Sequence, residues 1–231
     1  MINRKRNILA ELSRLRRSED GATVVELAFV LPLFLLIFLG IIDFGRLAFH
    51  YVAAEKAVQV AARIAAVRAG VCAGLPATND RGDYTDASGP RYGTNCGNSP
   101  GICIDPAVAP CTGASATGGD ALATVNEIWE KVQFAIPNDP TADFDRSNLT
   151  FAYDFEPRMN FLGGPFVPVV TVTIEELPFR FVSPLGAIAR LAARGPTPDT
   201  EALAGITTGF KIFSDFSASL PGEDLARGTN G

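Results

Sequence analysis

The chain has one histidine, His50, among 231 residues. Histidine is the side chain whose charge changes most readily near neutral pH. With its only copy on a helix-like apolar segment, His-based acid–base chemistry in the rest of the chain is excluded. The sequence also lacks GxSxG, HExxH and a P-loop, so no nucleophile elbow, zincin site or phosphate cradle is present. Carboxylates are plentiful, at 25 Asp plus Glu, but no pair stands out from a solvated acidic surface. The chain reads as a non-enzyme with no cofactor.

Clustered positive charge is missing after residue 20. Residues 1–20 hold Arg4, Lys5, Arg6, Arg14, Arg16 and Arg17 against Glu11, Glu19 and Asp20. The remainder keeps 14 of the 20 basic and 22 of the 25 acidic residues, a net of −8 against −5 for the whole chain. Phosphate binding depends on clustered Lys and Arg, so nucleic acid is not an expected partner. A basic head before an apolar run marks a segment that stays cytoplasmic.

Charge of either sign is absent from Leu27 to Ile42. Ala22–Ile42 spans about 31 Å as a helix at about 1.5 Å per residue. That matches a hydrocarbon core of roughly 30 Å, so the lipid bilayer is an expected partner. A cleaved secretory signal would carry a small-x-small site soon after its core. Here Asp43-Phe-Gly-Arg46 follows instead, and Gly and Pro are absent from Arg46 to Arg68. Lys56, Gln59 and Arg63 form one polar stripe at helical spacing, with Val58, Ala61, Ala62 and Ala65 on other faces. One helix over 22–68 is expected, its second half outside the membrane and Gly70 near its end. His50 is expected to face solvent or a partner helix. Asp43 and Arg46 are spaced to pair at the outer membrane surface.

Beyond the helix, Cys72, Cys96, Cys103 and Cys111 lie in a stretch rich in Gly, Pro, Asn, Ser and Thr. An even number of cysteines outside the membrane implies two disulfides in an oxidising compartment, with three pairings open. Zinc is the competing reading, but CxxC is absent and the gaps are irregular, so no metal is expected. Asp120–Phe134 has the spacing of an amphipathic helix through Leu122, Val125, Ile128, Trp129 and Val132. Strands are expected over Asn148–Phe155 and Pro165–Glu176, where Val170, Val172 and Ile174 alternate with threonines. Phe179–Val182 is a further candidate strand, and Leu185–Ala193 a short apolar helix. Phe210, Ile212, Phe213 and Phe216 argue for burial in the tail. The fold class is α+β: a long N-terminal transmembrane helix extended outward, then a small disulfide-stapled domain with a short antiparallel sheet. Four segments follow: a basic leader over 1–21, the helix over 22–68, a Cys-containing loop region over 69–119 and an extracytoplasmic α+β domain over 120–231.

Glu26 is the informative residue of the helix. A carboxylate in an apolar helix costs about 2.5–3.5 kcal/mol at the bilayer centre and less toward an end. Alone it reads as an interfacial acid reaching the headgroups. Gly21 precedes the apolar run, and a cut after it would make Ala22 a free amino terminus one helical turn from Glu26. The run Gly21-Ala-Thr-Val-Val-Glu26-Leu-Ala-Phe-Val-Leu-Pro32, with Gly40-Ile-Ile-Asp43-Phe-Gly45-Arg46 after it, resembles the TadE family of pseudopilins. The resemblance covers roughly residues 15–68. Farther on, only the valine-rich strand and Pro178–Phe181 are similar to the family.

The resemblance implies a subunit of a tight-adherence (Flp-type) pilus assembly or secretion system, anchored in the inner membrane with its N-terminus cytoplasmic and its C-terminal domain periplasmic. It implies as partners a prepilin-type peptidase, other pilin and pseudopilin subunits and an inner-membrane assembly platform. It implies that Gly21 and Ala22 flank the processing site and that Glu26 neutralises the new amine. Small fibre pilins of such systems carry an aromatic residue after the glutamate and lack a large outer domain; Leu27 and the Cys-stapled domain therefore favour an accessory role. Pro32 removes a helix hydrogen bond; it reads equally as a tolerated membrane proline and as a flexible point used in assembly. The alternative is an unprocessed single-pass anchor for an adhesin or sensor domain. Arg81-Gly82-Asp83 is a chance-prone adhesive triplet. Asp80, Asp83 and Asp86 lack an EF-hand pattern. Asn148-Leu-Thr150 is a glycosylation triplet.

Overall fold

The computed structural model describes residues 22–83, 89–134, 144–177, 179, 181, 182, 215–223 and 225. Two compact units emerge: Met1–Arg46 with Phe181–Pro196, and Leu47–Arg180 with Thr197–Gly231. The expected leader and the helix over 185–193 lie outside the described residues, and the segment 179–182 lies partly outside them.

Helix α1, Ala22–Val67, is a single 46-residue element that continues through Pro32. Its extent follows from the scarcity of breakers: Gly40 and Gly45 are interior glycines of a helix otherwise rich in Ala, Leu and Val. The chain leaves α1 at Arg68, whose N–H still bonds the Ile64 carbonyl, before Gly70. The polar stripe is exposed, with Lys56 donating to Gln59 at 3.2 Å.

From Leu47 onward α1 belongs to the second unit, which also holds helix α2 (Gly119–Val132) and one four-stranded antiparallel sheet. The strands are β1 (Cys111–Thr112), β2 (Leu149–Phe155), β3 (Pro168–Ile174) and β4 (Phe216–Pro221), in the order β1-β2-β3-β4. Register follows alternation: Leu149, Phe151 and Tyr153 on β2 and Val170, Val172 and Ile174 on β3 all turn to one buried face. A one-residue slip would turn that whole set to the opposite face, so burial pins the pairing. Ala54, Ala57, Val58, Ala61, Ala62 and Ala65 of α1 share the core with these residues. Alanine suits this position because small side chains let a helix backbone approach a sheet closely.

Helix α2 buries Ala121, Thr124, Val125, Ile128 and Val132. Leu122, expected on the buried face, is 41% exposed. Thr124 takes the inward place because its hydroxyl donates to the Ala69 carbonyl at 3.0 Å or to that of Asp120 at 3.1 Å. Phe216 is buried at the start of β4, giving the tail an ordered strand.

The cysteines form Cys72–Cys111 and Cys96–Cys103. The first ties the chain just after α1 to β1; the second closes a short loop beside Ile102 and Leu162. Asn79 and Asn160 are buried together, and the Asn79 amide donates to Asn160 Oδ1 at 3.0 Å and to the Pro165 carbonyl at 3.0 Å. Asn160 in turn accepts from Val167 N–H at 2.8 Å. These amides replace secondary-structure partners for loop backbone that is out of reach of water.

Candidate membrane and assembly site

Ala22 is the first described residue of α1, and Gly21 lies outside the described residues. Four positions later on the same helical face stands Glu26, an exposed carboxylate surrounded in sequence by exposed apolar side chains. Val24, Phe29, Leu33, Phe34 and Ile41 are each more than half exposed, and only 6% of the most apolar 18-residue window of the helix is buried. A core helix of a water-soluble domain would bury that window. Phe34 and Phe38 stack with ring centres 5.9 Å apart, one turn from each other. This helix is long and apolar enough to cross a membrane once, and is compatible with single-pass anchoring.

Where the charge-free run ends, the geometry is richer than the sequence suggests. Asp43 is fully buried, receiving Arg46 Nη1 at 3.4 Å and the Val182 backbone N–H at 3.0 Å on the same carboxylate oxygen. The Arg46 pairing was legible from i,i+3 spacing; the Val182 contact, 139 residues away, was not. His50, expected to face solvent or a partner helix, instead packs edge-on to Phe179 with ring centres 5.9 Å apart. The two ring planes are steeply inclined, at 65°, a packing arrangement favourable through ring electrostatics.

Residues 21–63 match the family model described as TadE-like protein. No curated protein and no solved structure matches the chain. The TadE-like match spans the apolar half of α1, Glu26, Pro32, Asp43 and most of the outer half. It associates the chain, in general terms, with tight-adherence pilus machinery as a membrane protein.

The weaker motifs have structural explanations. Arg81 is half-buried, donates to the Pro90 carbonyl at 2.7 Å and lies 5.4 Å from the Tyr92 ring centre. A side chain at Gly82 would strike the Gly101 carbonyl. The Arg81-Gly82-Asp83 triplet is therefore built into the fold, with its arginine turned to intramolecular partners. Asn148 spends its side-chain oxygen on the Asp145 N–H at 2.9 Å. Among the described residues, no group of three or more His, Cys, Asp or Glu side chains is arranged to hold a metal ion.

Two groups in the second unit have shifted acidities. The Ser147 hydroxyl, and then its backbone N–H, hold the Asp145 carboxyl below the usual carboxylate range. Burial pushes the Tyr153 phenol up, partly opposed by the Val71 N–H that donates to its oxygen at 2.9 Å.

Proposed function

We propose that this protein is a minor pseudopilin: an accessory subunit of a tight-adherence pilus assembly or secretion system, processed after Gly21 and assembled through α1. The observation that carries this reading is the exposed apolar stretch of α1 from Ala22 to Ile42, whose single charge is the carboxylate of Glu26, one turn in. A prepilin-type peptidase cutting after Gly21 creates an ammonium group at Ala22. Glu26 neutralises that group in the same or a neighbouring subunit. A charge pair in hydrocarbon is costly unless well paired, so it sets the register between packed helices. The remaining apolar surface of the helix meets lipid before assembly and neighbouring pilin-like helices after it. Pro32 offers a point of lower bending cost for that transfer. The basic leader keeps the N-terminus cytoplasmic in the inner membrane and the disulfide-bonded domain outside, where an assembly platform collects subunits. The size of the outer domain and Leu27 after Glu26 support an accessory place over the bulk fibre.

N-terminal sequencing of the protein from its native membranes tests the reading. A chain starting at Ala22, whose cleavage is lost in a Gly21→Leu variant, is the expected result. An intact leader would overturn it in favour of an unprocessed anchored adhesin or sensor.

A further inference from the structure

The bare face of α1 stays apolar well beyond the charge-free run. Ile41, Gly45, Ala48 and Val52, at i, i+4, i+7 and i+11, lie along one side of the helix and are all exposed. Phe44 and Phe49 flank them, 62% and 68% exposed. The same side then turns polar without a break in the helix: Glu55, Lys56, Gln59 and Arg63 follow. Asp43, the first charge after Ile42 in sequence, does not interrupt this face. It is fully buried on the opposite side and paired with Arg46 at 3.4 Å. The exposed surface therefore changes from apolar to charged between Val52 and Glu55. Val52 lies about 15 Å past Ile42 at about 1.5 Å per residue.

We propose that the headgroup layer of the bilayer covers this face as far as Val52, so that the first turns of α1 in the second unit are a membrane-interface contact. The proposal rests on the reading of α1 as a bilayer-spanning helix and sets where that helix leaves the lipid. The occupant follows from continuity and length. Neither exposure nor polarity separates Ala48, Phe49 and Val52 from the apolar stretch before them. Leu27–Val52 measures about 39 Å at about 1.5 Å per residue. A hydrocarbon core accounts for about 30 Å of it, and a bilayer with its headgroups spans about 40–45 Å. The surplus of about 9 Å falls within the roughly 5–10 Å over which interfacial elements bury apolar side chains. The withdrawal of Asp43 fits this depth. It lies about 14 Å below Val52, at the level of the acyl chains, where a charge needs partners. Arg46 and the Val182 N–H are those partners. The rim has matching chemistry. Tyr51 is 44% exposed, its ring held edge-on by Phe216 at 5.1 Å, and amphipathic aromatic rings concentrate at headgroup level. Lys56, one turn above Val52, is exposed and long enough to lay its stem on apolar surface with the ammonium at phosphate level.

The test uses the full chain in lipid vesicles. All four cysteines are in disulfides, so one added cysteine takes an environment-sensitive dye selectively. The dye is placed in turn at Phe38→Cys, Val52→Cys and Gln59→Cys, all exposed positions of α1. Emission at 38 is expected to be blue-shifted and quenched by bromines deep in the acyl chains. Emission at 52 is expected to be blue-shifted and quenched by bromines next to the headgroups, and emission at 59 to stay water-like. Quenching at 38 with a water-like signal at 52 overturns the proposal and leaves the anchor reading standing. Quenching at 59 as strong as at 52 overturns the boundary. Blue-shifted emission at 52 that no brominated lipid quenches, and that reverts when the chain is diluted within the membrane, assigns the face to a second copy and overturns the lipid contact. Absence of quenching at both 38 and 52 overturns the anchor reading and the proposal with it.

Discussion

The two halves of α1 have the same secondary structure and opposite surroundings. Before Asp43, large side chains such as Phe29, Leu33 and Ile41 are exposed; after Leu47, small ones such as Ala54, Ala61 and Ala62 are fully buried. Side-chain size follows from what covers each half. Lipid accommodates any apolar shape and favours bulk, since transfer from water gains about 25 cal/mol per Å² of apolar surface. A sheet packed against a helix is less forgiving, because protein interiors are close-packed and an extra methylene is felt. Hydropathy alone therefore places an anchor, whereas side-chain volume shows which part of the helix enters a protein core.

The largest test of this contrast concerns what holds the outer half in place besides packing. Cys72–Cys111 closes 39 residues and joins the chain just after α1 to the sheet, while Cys96–Cys103 closes 7. Chain-entropy arguments give about 4 kcal/mol for the first and about 2.4 kcal/mol for the second. Replacing Cys72 and Cys111 by serine is expected to lower the outer unit's unfolding free energy by the larger amount, read by denaturant titration of the detergent-solubilised chain. Equal losses for both disulfides would mean that unfolded-state entropy is not the source of the stability.

Next in size is a single charge placed on each half. Phe34→Arg sits in the uncharged run and is expected to oppose insertion by about 2.5–3.5 kcal/mol. Val60→Arg, on the 41% exposed side of the outer half, is expected to change insertion little. Membrane fractionation of the two variants compares them directly. Equal membrane retention would erase the distinction between the halves.

The sequence reveals these halves unequally. The absence of charge over Leu27–Ile42 exposes the anchor, and the Val-Thr alternation exposes β3, because both are local patterns. Helix α1 was readable to within a residue or two for the same reason. Strand β4 was not, since Phe216-Ser-Ala-Ser-Leu-Pro221 has one large apolar residue and becomes a strand only by pairing with β3. Strand β1 is two residues long and exists through its ladder to β2. The disulfide pairing depends on Cα separations of 5.5 and 5.4 Å that no spacing rule supplies. At the membrane exit, i,i+3 spacing gave Asp43–Arg46, but no local pattern gave the Val182 N–H that donates to Asp43 from 139 residues away. In α2, Ala121 displaces Leu122 from the core because the face is set by Thr124 reaching the Ala69 carbonyl, a contact across 55 positions.

The smallest of these tests concerns the junction where α1 ends. The buried Val71 N–H has left the helical ladder and donates to Tyr153 Oη at 2.9 Å. Tyr153→Phe removes the acceptor and strands that donor, a cost of about 1–3 kcal/mol. The same phenol carries a pH dependence. Burial raises its pKa, so the folded state favours the neutral form more than the unfolded state does. Below the unfolded value of about 10 this contribution is fully present. As pH rises through the folded value it is lost, because the unfolded phenol ionises first. Urea titrations between neutral and strongly alkaline pH are thus expected to show wild-type stability falling above about pH 10, while Tyr153→Phe begins lower and falls less steeply. Parallel curves for the two proteins would remove Tyr153 from the alkaline response. The apolar half of α1 contributes nothing to it in either protein, since Leu27–Ile42 holds no titratable side chain.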